Sequence, residues 1–118
     1  DLSIADRARA AAGDLAAARA QLQHTALQRG LQVEQTAYAM REASARLAQA
    51  QQLFAAYDVA VRAQAKRYQV GEASLIEVLR AQDNLQSARY AIIDAALAYD
   101  TTRVALKFLV YGSAALER

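Results

Sequence analysis

The sequence contains no proline, no cysteine and no tryptophan, and its 118 residues include only four glycines. Because proline is missing, no residue breaks a helix by lacking a backbone N–H, and the abundant alanine favours helix formation. Because cysteine is missing, disulfides and thiolate metal sites are excluded. The single histidine, His24, has no second imidazole or thiolate at helical spacing. We therefore predict neither a metal site nor a cofactor.

The sequence also lacks a large excess of charge of one sign, and it lacks long apolar runs. The formal net charge is +2, and Lys and Arg are scattered among Asp and Glu instead of forming the basic block of a nucleic-acid binder. No run reaches the roughly 18 apolar residues of a membrane-spanning helix. The acids Asp58, Asp83, Asp94 and Asp100 are spread along the chain and form no close catalytic pair. We predict that the chain is not an enzyme.

The residues that are present mark two helices. Ser3 and Asp6 have the spacing of a capping box, which predicts a first helix over residues 3–68. Gly71 suits the left-handed residue that follows a helix end. Gly30 stands without other turn residues beside it, so we expect the first helix to continue through it.

The second helix has a clearer start. Ser74 and Glu77 form a capping box of the usual type, in which the hydroxyl and the carboxylate each accept a backbone N–H. This predicts a tip over residues 69–74 and a second helix over 75–111, with Ser74 as its N-cap. Gly112 is the expected stop, after which residues 113–118 should fray.

A strict seven-residue repeat of apolar and aromatic side chains runs along both helices. In the first helix it comprises Ala26, Val33, Met40, Leu47, Phe54, Val61 and Tyr68, and in the second Val78, Leu85, Ile92, Tyr99 and Leu106. Folding the chain at the tip pairs Tyr68 with Val78, Val61 with Leu85, Phe54 with Ile92, Leu47 with Tyr99, and Met40 with Leu106. The sequence therefore predicts an all-α fold, a long antiparallel coiled-coil hairpin.

The companion positions of the repeat are mostly small. They are Ala43, Ala50 and Tyr57 in the first helix, and Ala81, Ala88, Ala95 and Thr102 in the second. Alanine lets helices approach closely but buries little apolar area. The register also leaves Leu15, Leu22 and Leu31 without a partner from the second helix. We expect further helices to pack on the hairpin, from neighbouring chains or from sequence outside this one.

The stretch from Arg67 to Gln82, with its Val-Gly, its Ser and its acid followed by Val-Leu, resembles the tip of the outer-membrane efflux protein family, the TolC-type ducts. The resemblance implies one periplasmic hairpin domain over residues 1–118, taken from one of the two repeats of a Gram-negative outer-membrane protein. Since the chain opens on Asp1 and not on Met, we expect a processed form or an excised piece.

The resemblance also implies partners and site residues. Family members are homotrimers whose periplasmic tips meet the hairpins of a membrane-fusion adaptor, and an inner-membrane pump acts through that adaptor. By match to the family motif, the docking tip would comprise Val70, Gly71, Glu72 and Ser74. The pore-constriction candidates would be Tyr68, Glu77 and Arg80. We expect the isolated fragment to self-associate.

Each of these residues also has a simpler interpretation. Gly71, Ser74 and Glu77 serve as caps in any helical hairpin, and Tyr68 falls on the last seam position. Arg80 stands where some family members carry a second acid, and it is spaced to pair with Glu77. The alternative function is a coiled-coil interaction module, such as the hairpin of a periplasmic adaptor.

Overall fold

The computed structural model describes residues 2–116, with the side chains of residues 3–112. Helix α1 spans Leu2–Gln69 and helix α2 spans Leu75–Leu116, and no strand occurs in this range. The predicted all-α class and the two long helices are confirmed. The chain divides into two compact units, one up to Gln35 and one from Thr36 onward.

The first unit is helical and passes through Gly30 without a break, as predicted. The side chains of residues 3–32 are all exposed. They include five large apolar ones that are 53–75% exposed, namely Ile4, Leu15, Leu22, Leu27 and Leu31. The helix begins at Leu2, so the prediction of Ser3 as N-cap is wrong, because Ser3 already lies within the first turn.

The second unit is an antiparallel hairpin whose two helices meet along the predicted seam. Its covered positions on α1 include Met40, Leu47, Phe54 and Val61 with Ala43, Ala50 and Tyr57, and those on α2 include Val78, Leu85, Ile92, Tyr99 and Leu106 with Ala81, Ala88, Ala95 and Thr102. Among the described residues, the buried side chains are Ala88, which is 3% exposed, and Ala43 and Val78, which are each 8% exposed. Two of the three are alanines, a residue that lets helices approach closely.

Contacts between the helices fit the predicted register. The guanidinium carbon of Arg89 lies 5.8 Å from the centre of the Phe54 ring, and Arg89 is about one helical turn from Ile92. Farther from the tip, Ala43 and Thr102 line the same small cleft. Phe54 and Ala43 thus lie beside the stretches of α2 that the paired repeats assign to them.

Two predictions about this unit are wrong. Helix α2 continues through Gly112 to Leu116, so Gly112 is not a stop and residues 113–116 are helical, while residues 117 and 118 lie outside the described part. A glycine inside a helix costs only about 1 kcal/mol, which neighbouring helical residues can offset. Tyr68 is 46% exposed and so is not a buried seam residue. It lies in the last turn of α1, one residue before the helix ends at Gln69.

Neither helix, over the residues described, contains a segment long and apolar enough to cross a membrane.

Candidate functional site

The end of α1 is closed by a Schellman motif centred on Gly71. Glu72 N–H donates to the Arg67 carbonyl at 2.8 Å, and Gly71 N–H donates to the Tyr68 carbonyl at 3.1 Å. These two bonds need a left-handed residue just past the helix, and Gly71 has φ +79°. Gly71 is the one described residue in this region of φ, which explains why the chain turns here and not at its other glycines.

The start of α2 is closed by the predicted capping box. Glu77 N–H donates to the Ser74 hydroxyl at 3.2 Å, and Ser74 N–H donates to a Glu77 carboxylate oxygen at 2.7 Å. The backbone bond from Ser74 is the main reason that the pKa of Glu77 is lowered, with smaller contributions from the Ser74 hydroxyl, Arg67 and Arg80. The carboxylate therefore favours its charged form, which is the form that caps the helix.

The side chain of Arg67 reaches from the end of α1 into the turn between the two caps, a part that sequence reasoning did not assign to it. One guanidinium nitrogen donates to the Glu72 carbonyl at 3.1 Å, and the other donates to the Gln64 side-chain oxygen at 3.4 Å. The available signal was the position of Arg67 in the last turn of α1, where a cation interacts favourably with the helix dipole.

The turn presents apolar side chains to solvent. Val70 is 69% exposed, and beside it Leu75, Ile76 and Leu79 on α2 are 53%, 63% and 52% exposed. Val70, Gly71, Glu72 and Ser74, the predicted docking residues, lie together within one turn that is capped at both ends. Together with Leu75, Ile76 and Leu79, the tip residues 70–74 thus form an ordered, partly apolar surface.

The three pore-constriction candidates lie on the two helix ends beside this tip, and all are exposed. The hydrogen bonds of Glu77 agree with its simpler interpretation, in which it only caps α2. Arg80 lowers the pKa of Glu77 through its charge, although the ion pair identified within the described residues is Arg62–Asp58, at 2.9 Å. The predicted pairing of Glu77 with Arg80 is therefore wrong as a direct contact, because the carboxylate of Glu77 turns back to Ser74.

Comparison with protein families decides what kind of hairpin this is. The family model described as outer membrane efflux protein matches residues 3–110, which is most of the chain. The chain belongs to the outer membrane efflux protein family. As a member of this family it is a component of an outer-membrane efflux channel, in a family of transport proteins and not of enzymes. Comparisons with curated proteins and with solved structures gave no significant match.

This efflux-family hairpin carries a second apolar stripe that sequence reasoning missed. Exposed apolar side chains stand at seven-residue spacing on α2, at Ile76, Tyr90, Leu97, Val104 and Tyr111, with fractions of 59–69%, while the position between Ile76 and Tyr90 is the charged Asp83. Tyr90 is two residues from buried Ala88, which places the two about 200° apart around the helix. We call these five residues the outer stripe, because they face away from the seam. The repeat of seven was visible in the sequence, but the seam alone was assigned to it.

Proposed function

We propose that this hairpin forms part of the wall of a trimeric periplasmic tunnel, and that its tip docks the helical hairpin of a membrane-fusion adaptor. In this proposal the chain lies in the periplasmic portion of a Gram-negative outer-membrane channel. The channel exports cargo that an inner-membrane pump delivers, and the pump acts on it through the adaptor. The observation that carries the docking proposal is the capped, apolar tip.

The tip combines order with exposed apolar area. Hydrogen bonds at Gly71 and at Ser74 fix the backbone on both sides of the turn, so little conformational entropy remains to be lost when a partner binds. Val70 and Ile76 are each more than 60% exposed, and they supply apolar area that docking would remove from water. The exposed carboxylate of Glu72 adds a charged group at the same place. Docking would therefore be partly apolar and partly electrostatic.

The proposal also gives the exposed residues beside the tip a role at the tunnel entrance. Three copies of Glu77 around a three-fold axis would form a ring of carboxylates, which attracts cations. The positive charge of Arg80, three residues along α2, would weaken that attraction. Tyr68 is about half exposed and available to contact a neighbouring protomer at the constriction.

A change at Gly71 tests docking. No atom lies within 4 Å of a Cβ built on Gly71, so a larger side chain there would project into the space that the adaptor would occupy. Asparagine tolerates the left-handed conformation better than other residues with a side chain. We expect Gly71→Asn to leave the hairpin folded and to reduce crosslinking of the assembled channel to its adaptor roughly tenfold, since an interfacial clash of about 1.4 kcal/mol has that effect.

The matched control is Gly30→Asn, which adds the same side chain to α1 at another open glycine with no positive φ. Crosslinking should then remain at the wild-type level. Helix content and trimer yield would be measured for both variants, so that a folding defect is recognised as such. Full crosslinking in a well-folded Gly71→Asn channel would contradict docking at this tip.

The alternative function, a coiled-coil module such as the hairpin of an adaptor, fits the helical geometry equally well. It fits the family match less well, because residues 3–110 match a channel family and not an adaptor family.

A further inference from the structure

Two hydrogen bonds join Arg67 to the peptide groups of Glu72. The Arg67 carbonyl accepts the Glu72 N–H at 2.8 Å, and the Arg67 guanidinium donates to the Glu72 carbonyl at 3.1 Å. The first bond belongs to the Schellman motif and depends only on the backbone, so a residue of any type would form it. The second depends on the side chain of Arg67 alone.

The side-chain bond acts at a point that neither helix cap reaches. The Schellman motif holds the chain as far as the N–H of Glu72, and the capping box holds it from the N–H of Ser74 onward. Between them lies the peptide that joins the Glu72 carbonyl to Ala73. The hydrogen bond from Arg67 is made to the carbonyl of this peptide.

We propose that Arg67 is a positioning residue of the tip, whose guanidinium holds the connection between the two helices in the shape that the docking partner recognises. This inference rests on the docking function proposed above. Arg67 itself does not need to contact the partner, because its effect is exerted through the carbonyl of Glu72.

The geometry favours arginine over other cations at this position. The two terminal nitrogens reach different acceptors, the Glu72 carbonyl in the turn and the Gln64 side chain one turn back along α1. A guanidinium is a rigid planar fork and can make both bonds at once, whereas an ammonium is a single point of charge on a flexible stem. The bond to Gln64 thereby restrains the side chain of Arg67, which bonds to the turn.

The experiment compares Arg67→Gln and Arg67→Lys in the assembled channel, with Arg62→Gln as the matched control. Arg62 is also exposed on α1, and its loss removes the ion pair with Asp58 but no contact with the turn. Two quantities are measured: hydrogen exchange of the tip amides, and crosslinking of the tip to the adaptor. Helix content and the exchange of mid-helix peptides report whether the hairpin remains intact.

For Arg67→Gln we expect exchange at residues 72–74 to rise and tip crosslinking to fall, each about threefold to tenfold, as is usual for the loss of one exposed hydrogen bond. Arg67→Lys should recover part of both effects because it keeps the charge and a single donor nitrogen. Arg62→Gln should change neither, and the mid-helix peptides should exchange as in the wild type in all three variants.

The two measurements separate this inference from the docking proposal. If exchange at residues 72–74 is unchanged in Arg67→Gln, the positioning role is overturned, whatever the crosslinking shows. If exchange rises but crosslinking stays at the wild-type level, Arg67 holds the turn but its role in docking is overturned. If the wild-type tip does not crosslink to the adaptor, the docking function fails, while the exchange data still decide whether Arg67 holds the turn.

Discussion

At the scale of single residues, the side chains of Ser74 and Glu77 each accept the backbone N–H of the other residue. The free N–H groups at the start of α2 would otherwise lack partners within the helix, and the hydroxyl of Ser74 and the carboxylate of Glu77 each accept one. The carboxylate also lies in the first turn of α2, where a negative charge interacts favourably with the helix dipole. Its protonation state is therefore linked to the stability of the tip.

This linkage predicts a pH dependence. The pKa of Glu77 lies below its ordinary value of 4.5 in the folded protein, chiefly because Ser74 N–H donates to the carboxylate. A carboxyl group with a lowered pKa stabilises the fold fully above the unfolded value, and this contribution is lost as the pH falls through the folded value. We expect Glu77→Gln to remove that part of the acid sensitivity, measured as thermal unfolding temperature against pH on both sides of 4.5.

The control for this experiment is Asp83→Asn, which removes an exposed carboxylate farther along α2 that takes no part in the cap. Its unfolding temperature should fall with acid as steeply as that of the wild type. Parallel curves for Glu77→Gln and the wild type would show that the cap does not depend on the charge.

Residues whose role depends on near neighbours were predictable from the sequence. Gly71 and Ser74 cap helices through bonds to residues at most five positions away, so the local pattern was sufficient. Tyr68 and Gly112 were assigned incorrectly because the local pattern at each allowed two outcomes. Tyr68 has the spacing of a seam residue but is 46% exposed, and Gly112 suits a helix stop but lies inside α2, which continues to Leu116.

At the scale of the helices, small side chains determine how closely the two arms approach. Ala88 is the most buried described residue at 3% exposure, and Ala43 is also buried, while larger neighbours such as Phe54 and Ile92 stay partly covered. A packed interior at close spacing has no room for added methylene groups. The seam should therefore be more sensitive to enlargement at its alanines than to small changes at its larger residues.

We expect Ala88→Leu to destabilise the hairpin by about 1–3 kcal/mol, because the larger side chain would have to push the helices apart. The measurement is the free energy of unfolding in denaturant, followed by helix content. Ala91→Leu is the matched control, since Ala91 lies three residues along on the exposed surface of α2 and should tolerate leucine with little change. Equal stability of the two variants would contradict a closely packed seam at Ala88.

The seam itself was predictable because the period of seven fixes both its position and its pairing across the turn. The outer stripe escaped prediction for a related reason. It has the same period, and a sequence pattern does not say which of two apolar stripes will face the partner helix of the same chain. The structure resolves this, because Ala88 is buried while Tyr90 is 59% exposed.

At the scale of the whole molecule, α2 has apolar residues on two opposite sides. The seam covers one side with α1, and the outer stripe leaves the other in water. A helix with two such sides is suited to a position between two neighbours, as in the wall of a tunnel built from many helices. The exposed leucines of residues 3–35 add to the apolar area available for further helices. The expectation that such helices pack on this chain stays a prediction.

Placing a charge in the outer stripe tests whether further helices pack on this side of α2. Leu97 lies in the middle of the stripe and is 66% exposed in the single chain, so Leu97→Lys should leave the hairpin folded. If the stripe packs against a neighbouring hairpin, the buried ammonium would lack a partner, and trimer yield in the membrane should fall sharply while helix content is retained. Asn84→Lys is the matched control, because Asn84 is exposed on another side of α2 and should assemble normally. Normal trimer yield for Leu97→Lys would mean that the outer stripe faces water or the tunnel, and that α2 has only one neighbour in the wall.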